Sequence, residues 1–122
     1  MLSYVTVGTN DLARSGAFYD ALLGELGAGR AMEMDRLIIW AVQPGKPMFG
    51  LAKPYDGKPA TVGNGTMVAL DAGSREMVDR LHSRALALGG TDEGAPGLRG
   101  DSFYGGYFRD LDGNKFVACV FS

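Results

Sequence analysis

Few side chains in this 122-residue sequence could do chemistry. His82 is the only histidine and Cys119 the only cysteine. A lone cysteine on an apolar strand is an inert small hydrophobe unless a base stands beside it, and no base is identifiable near Cys119. His82 follows Leu81 on the flank of a helical apolar face, where a histidine is expected at the surface or boundary. Asp71 shares a strand face with Met67 and could stand at a cavity rim, although a strand-end carboxylate reads first as solvent-facing. Arg109 would suit an anionic ligand if it lined a cavity, and reads first as a structural ion pair or surface residue.

The aromatic run Phe103-Tyr104-Gly105-Gly106-Tyr107-Phe108 is more informative. Glycines inside a strand often mark a bulge or the close approach of a ligand. Aromatic rings beside missing side chains leave a gap with flat walls, suited to an apolar ligand. Trp40, Met48, Phe49 and Met67 could extend such a lining, and the same residues could equally fill a core. Gly63-Asn64-Gly65 is not a phosphate loop, because an apolar strand-like run rather than a helix follows it.

These residues must be positioned by strands and helices that the pattern announces. Residues 2–8 alternate as a strand, and Thr9-Asn10-Asp11 caps a helix over 11–26 that Gly27 ends. Strands follow near 29–34, 36–42 and 48–53. Residues 54–65, with two prolines and three glycines, form a turn-rich connector. The pattern then restarts: a strand at 66–71, Ser74 as N-cap, a helix with Met77, Val78, Leu81, Ala85 and Leu88 on one face, and Gly89-Gly90 as its stop. A short strand at 91–93 and a loop at 94–101 lead to two strands around Asp110-Leu111-Asp112-Gly113-Asn114, a tight-turn sequence. A shift of 63 residues overlays Tyr4 on Met67, Asp11 on Ser74, Leu23 on Leu86 and Gly27 on Gly90. Each half reads strand, helix, then two or three strands.

Composition narrows the function classes. A net charge of −2, with no basic run, excludes an electrostatic footprint for nucleic acid or anionic lipid. No apolar stretch approaches the roughly 20 residues needed to span a bilayer. Residues 1–5 do not read as a signal peptide, and one cysteine excludes an internal disulfide or a Cys-rich zinc site. A cytoplasmic protein is expected. The 19 glycines are about twice the ordinary share and dispersed, which favours many tight turns over disorder.

The Asp110–Asn114 stretch resembles the D-x-D-G-N turn of the vicinal oxygen chelate superfamily, which includes glyoxalase I, extradiol dioxygenases and bleomycin- and fosfomycin-resistance proteins. The resemblance covers nearly the whole chain. It implies an α+β fold of two βαβββ modules, forming a cupped, partly closed mixed sheet with helices outside. Module one spans about 1–54 and module two about 65–122. It also implies metal-ligand positions, which fall here on Tyr4, Met67 and Val117, with a fourth near Phe49 or Gly50. A neutral phenol and a thioether are poor ligands for a divalent ion, and valine has no lone pair.

The function expected is therefore that of a glyoxalase/bleomycin-resistance-like protein. It would bind a small, partly apolar molecule in the sheet cavity, without divalent metal or other cofactor. Tyr4, Trp40, Phe49, Met67, Tyr104, Tyr107, Val117 and Cys119 are the expected lining, with Tyr4, Met67 and Val117 converging. One alternative is a metal-independent enzyme using Tyr4, Tyr104 or Asp71 for proton transfer; another is a metal enzyme with ligands placed elsewhere. The partners expected are a small-molecule ligand and a second copy of the chain, with no nucleic acid or membrane. Open sheet edges favour the homodimer, and the charge-poor first helix is its expected contact.

Overall fold

The cap and alternation signals resolve into a twice-repeated order of elements in the computed structural model, which describes residues Met1–Ser122. First come β1 (Tyr4–Gly8), α1 (Leu12–Gly24), β2 (Gly29–Glu33), β3 (Leu37–Ala41) and β4 (Met48–Ala52). Then come β5 (Val68–Asp71), α2 (Arg75–Ala87), β6 (Thr91–Arg99), β7 (Phe103–Arg109) and β8 (Lys115–Phe121). The chain divides into two compact units, Met1–Val62 and Gly63–Ser122. Each holds one four-stranded mixed sheet, ordered β1-β4-β3-β2 in the first and β5-β8-β7-β6 in the second. The first and last strands of each unit pair in parallel, and the remaining pairs are antiparallel. The fold is α+β, built of two βαβββ modules. Neither helix is long and apolar enough to cross a membrane.

The helices start and stop where short-range chemistry tells them to. The Asp11 carboxylate accepts from the Arg14 amide at 3.0 Å, and the Ser74 hydroxyl oxygen from the Met77 amide at 3.1 Å. Each bond satisfies one of the amides that a helix N-terminus leaves without a partner. Gly27 takes φ +80° after α1, which lets the Ala28 amide reach back to the Leu23 carbonyl at 3.1 Å. The two helices have 13 residues each, and the shift of 63 carries Leu12 onto Arg75 and Gly24 onto Ala87.

Each sheet has one side packed on its helix and an opposite, helix-free side, here the open face, on which Ile39, Val117 and Cys119 are nevertheless buried. In the first unit, Tyr19 of α1 lies 5.7 Å from the Trp40 ring and 4.7 Å from the Phe49 ring, centroid to centroid. Phe18, Leu22, Leu23, Ile38 and Leu51 are buried with them. In the second, Phe108 stacks on Phe116 at 5.5 Å, and Val78, Leu81 and Ala85 of α2 are fully buried. Burying such a side chain stabilises by roughly 1.5–3 kcal/mol, so these sets account for much of each unit's cohesion.

Two local expectations change. The loop expected over 94–101 is largely strand, because β6 continues to Arg99. Gly94, Pro96 and Gly97 are loop signals in sequence, yet here they sit on an edge strand. Its register shifts between Asp92 and Gly94 and again between Gly94 and Gly97. An edge tolerates proline because an outward-facing N–H is not needed by the ladder, and bulges absorb the irregularity.

His82 is the second change. It is 6% exposed rather than at the surface. Its Nε2 lies 2.9 Å from Asp92 Oδ1 and 3.1 Å from the Tyr107 carbonyl oxygen. Both partners accept, so Nε2 carries the proton. Gly106 makes the room: a Cβ there would stand 3.3 Å from the His82 Cβ.

Candidate functional site

Strand alternation decides which candidate residues can meet a ligand on an open sheet face. In the first unit, Trp40 and Phe49 face α1. The indole N–H of Trp40 donates to Asp20 Oδ1 at 2.9 Å, and Phe49 packs on Tyr19. Arg30 closes that side, with Nε 2.8 Å from Asp20 Oδ1 and its guanidinium over the Trp40 ring. The hydrogen bond from Arg30, then that from Trp40, holds the Asp20 carboxyl below its ordinary range against the opposing effect of burial. These two aromatics are therefore core residues. Tyr4 lies on the opposite face of the sheet and is half exposed. A shallow, open groove of about 700 Å³ lies at the end of this sheet, bordered by Leu2, Arg30, Val42, Lys46 and Met48. Of the residues named from the sequence as possible lining, Met48 alone borders it.

In the second unit, β7 sends Tyr104 and Tyr107 to opposite faces. Tyr104 faces α2, where its hydroxyl donates to Asp79 Oδ1 at 2.7 Å. That bond holds its ionisation above the ordinary tyrosine value. Tyr104 is thus part of the helix attachment and not of the open face. Tyr107 pairs with Val117, and Val117 with Ala69; Gly105 pairs with Cys119, and Cys119 with Asp71. So Tyr107, Val117 and Cys119 share the open face with Ala69 and Asp71. Met67 lies just before β5 and is 44% exposed.

The floor of this face is apolar and tight. A Cβ at Gly105 would stand 2.8 Å from Phe103 Cε2 and 3.1 Å from Val117 Cγ2, so those two side chains close over the glycine. Val117 is 1% exposed and Cys119 6%. Burial, and then the negative charge of Asp71, pushes the Cys119 thiol above its ordinary pKa. A protonated, buried thiol is a poor nucleophile.

Charge enters from β6 and β8. The Arg99 guanidinium lies 5.6 Å from the Tyr107 ring centroid, and the Lys115 ammonium 5.7 Å from the same centroid. Arg109, also on this face, ion-pairs with Glu93 and donates to the Gly113 carbonyl at 2.9 Å, the structural role its position suggested. Sequence reasoning missed Arg99 and Lys115. Arg99 was hidden by the loop-like glycines before it. Lys115 was legible, because it stands two residues before Val117 on one strand and must share its face.

The Asp110–Asn114 turn is scaffold. Asp110 Oδ1 accepts from the amides of Asp112 and Asn114 at 2.9 and 2.8 Å, and its Oδ2 from the Asn114 side chain at 2.9 Å. Gly113, at φ +90°, supplies the left-handed residue.

The positions that would hold a metal do not fit one. Val117 is a buried aliphatic side chain, Met67 offers a thioether and Tyr4 a phenol. No group of three histidine, cysteine, aspartate or glutamate side chains is arranged to hold an ion.

The repeated βαβββ order and the Asp110 turn meet their counterpart in a family model. The glyoxalase/bleomycin resistance protein/dioxygenase superfamily matches residues 1–118. The chain belongs to that superfamily. Among solved structures, a glyoxalase/bleomycin resistance protein from Albidiferax ferrireducens is 43% identical, with a TM-score of 0.90 over 98% of this chain and 97% of that one. A fosfomycin resistance protein from Mesorhizobium loti shares the fold at 20% identity and a TM-score of 0.72, over 100% of this chain and 92% of that one. A lactoylglutathione lyase from Agrobacterium tumefaciens does so at 20% identity and 0.70, over 98% and 92%. No curated protein matches the chain.

Proposed function

We propose that this superfamily member binds a small, partly apolar organic molecule on the open face of its second sheet, without a divalent metal. The observation that carries the reading is the replacement of donor atoms by apolar ones: Val117 and Phe103 form a closed floor with Tyr107 standing beside it. An apolar floor with one aromatic wall favours a ring or short hydrocarbon, and the wall is the half-buried Tyr107, whose phenol adds a polar group.

A second reading, a metal-independent enzyme, narrows to fewer residues than the sequence offered. Tyr104 is turned toward α2 and committed to Asp79, which leaves Asp71 in this unit as a base. Asp71 stands beside Cys119 and accepts from the Gly73 amide at 3.0 Å. Proton transfer there needs the substrate's acidic carbon to lie over Cys119.

Elemental analysis of the purified protein, joined to native mass spectrometry, tests the first reading. The expected result is a substoichiometric metal content and saturable binding of an organic ligand. One divalent ion per chain, retained through dialysis, would replace it with a metal enzyme. With any substrate found, turnover that follows a carboxylate pKa and vanishes in Asp71→Asn would promote the second reading.

A further inference from the structure

The groove at the end of the first sheet is kept open by missing side chains. A Cβ added at Gly27, Gly29 or Gly45 would meet nothing within 4 Å, and all three glycines border the groove. Ala41, the partner of Gly29 across β2 and β3, adds only a methyl group. The volume of about 700 Å³ is that of a site for a small organic molecule. Leu2 and Val42 border it, each 56% exposed, and half-buried Met48 joins them. Exposed apolar side chains gathered at one concavity gain by being covered.

The charges at the groove have one sign. No aspartate or glutamate borders it. The charge of Arg30 is already met by Asp20 and Glu33, whereas Lys46 belongs to no ion pair. Lys46 and Gln43 both line the groove, and they are the last and first residues of the β-turn centred on Pro44 and Gly45. Gly45 supplies the positive φ, +81°, that this turn needs. A β-turn brings its two ends within about 7 Å, Cα to Cα, so an ammonium and an amide donor are neighbours at the groove wall. An oxyanion can accept from both. A cation there would meet Lys46 with no acidic group to offset the repulsion.

We propose that this groove is a binding site in its own right, for a small amphipathic organic anion. The charged end of the ligand accepts from Lys46 and Gln43, and its apolar body lies over Gly29 against Leu2, Val42 and Met48. The site lies wholly within the first unit and does not depend on the reading proposed for the second sheet.

Octanoate and octanamide carry nearly the same apolar body with and without the charge, and each is titrated while amide resonances are followed. Both are expected to move the amides of Gly29, Gly45 and Lys46, with octanoate bound about fivefold tighter. Lys46→Gln is expected to weaken octanoate by about fivefold, to the level of octanamide, and to leave octanamide unchanged. Gly29 lies in a strand without positive φ, so Gly29→Phe fills the groove without backbone strain. An unchanged thermal midpoint shows that this variant folds, and neither probe should then move Gly45 or Lys46. Equal affinities in the parent, or octanoate binding untouched by Lys46→Gln, overturn the anion assignment. Absence of shifts at these amides in the parent, shifts at Tyr107 and Val117 in their place, or binding that survives Gly29→Phe overturns the groove as the site.

Discussion

One carboxylate, Asp110, satisfies three donors while almost fully buried, so a single side chain organises the turn between β7 and β8. Asp110→Ala leaves two backbone amides and the Asn114 side chain without that acceptor. Urea denaturation is expected to show a loss of about 2–4 kcal/mol with an unchanged m-value. Asp92 predicts a pH effect. The Gly94 amide and then His82 hold its carboxyl below the ordinary range. A depressed folded pKa gives stability that is fully present above the unfolded value, near 3.9, and is lost as pH falls through the folded one. Thermal midpoints measured downward from neutral pH should therefore fall less steeply in Asp92→Asn than in the parent. Cys119 predicts slow chemistry: its buried, protonated thiol should react with an aromatic disulfide reagent far more slowly folded than in denaturant. The sequence conveyed the inertness of Cys119, since a lone cysteine between apolar neighbours lacks an activating base. It did not convey the burial of His82, which depends on the missing side chain at Gly106, a residue 24 positions away on another element.

The two helices carry glycines with opposite demands. Gly24 lies in the last turn of α1, and a Cβ added there would meet nothing within 4 Å. A Cβ at Gly90, just past α2, would stand 2.7 Å from the Arg109 carbonyl oxygen and 2.8 Å from that of Ala85. Gly24→Ala is expected to stabilise by about 0.5–1 kcal/mol through helix propensity and chain entropy. Gly90→Ala must push two backbone segments apart, and a loss of about 1–3 kcal/mol or more is expected in the same denaturation assay. Helix bounds were legible because caps and glycine stops act within a few residues, which is why a shift of 63 aligned both ends. The extent of β6 was not. Whether Gly94-Ala95-Pro96-Gly97 is loop or bulged edge strand depends on β7 lying beside it, and no local signal reports a neighbour. The faces of β7 and β8 were legible from alternation. Which face of each sheet meets a helix was not, so Tyr104 on β7, Trp40 on β3 and Phe49 on β4 entered the expected lining alongside Tyr107.

At the scale of the molecule, the repeated order of strands and helix leaves open edges, and the question is what covers them. β2 has five residues, all exposed, with Met32 about half exposed. Unpaired edges invite a partner strand unless charge or irregularity blocks them. β2 is partly blocked: Arg30 and Glu33 pair there, and its register shifts between Arg30 and Met32. The outer surface of α1 offers the smoother contact. Ala13, Ala17 and Gly24 are exposed there and Ala21 half-buried, so two such helices could approach closely without desolvating many charges. On α2 the corresponding surface carries Arg75, Glu76, Asp79, Arg80 and Arg84, whose burial would be costly. A homodimer through α1 is isologous, each helix meeting its own copy. Light scattering at tens of micromolar should give twice the 12.9 kDa chain mass. In Ala17→Arg the two new guanidinium groups would face each other across the axis, and the mass should fall to that of one chain. A parent protein that scatters as a monomer removes the dimer, and an Ala17→Arg dimer moves the contact from α1 to a sheet edge.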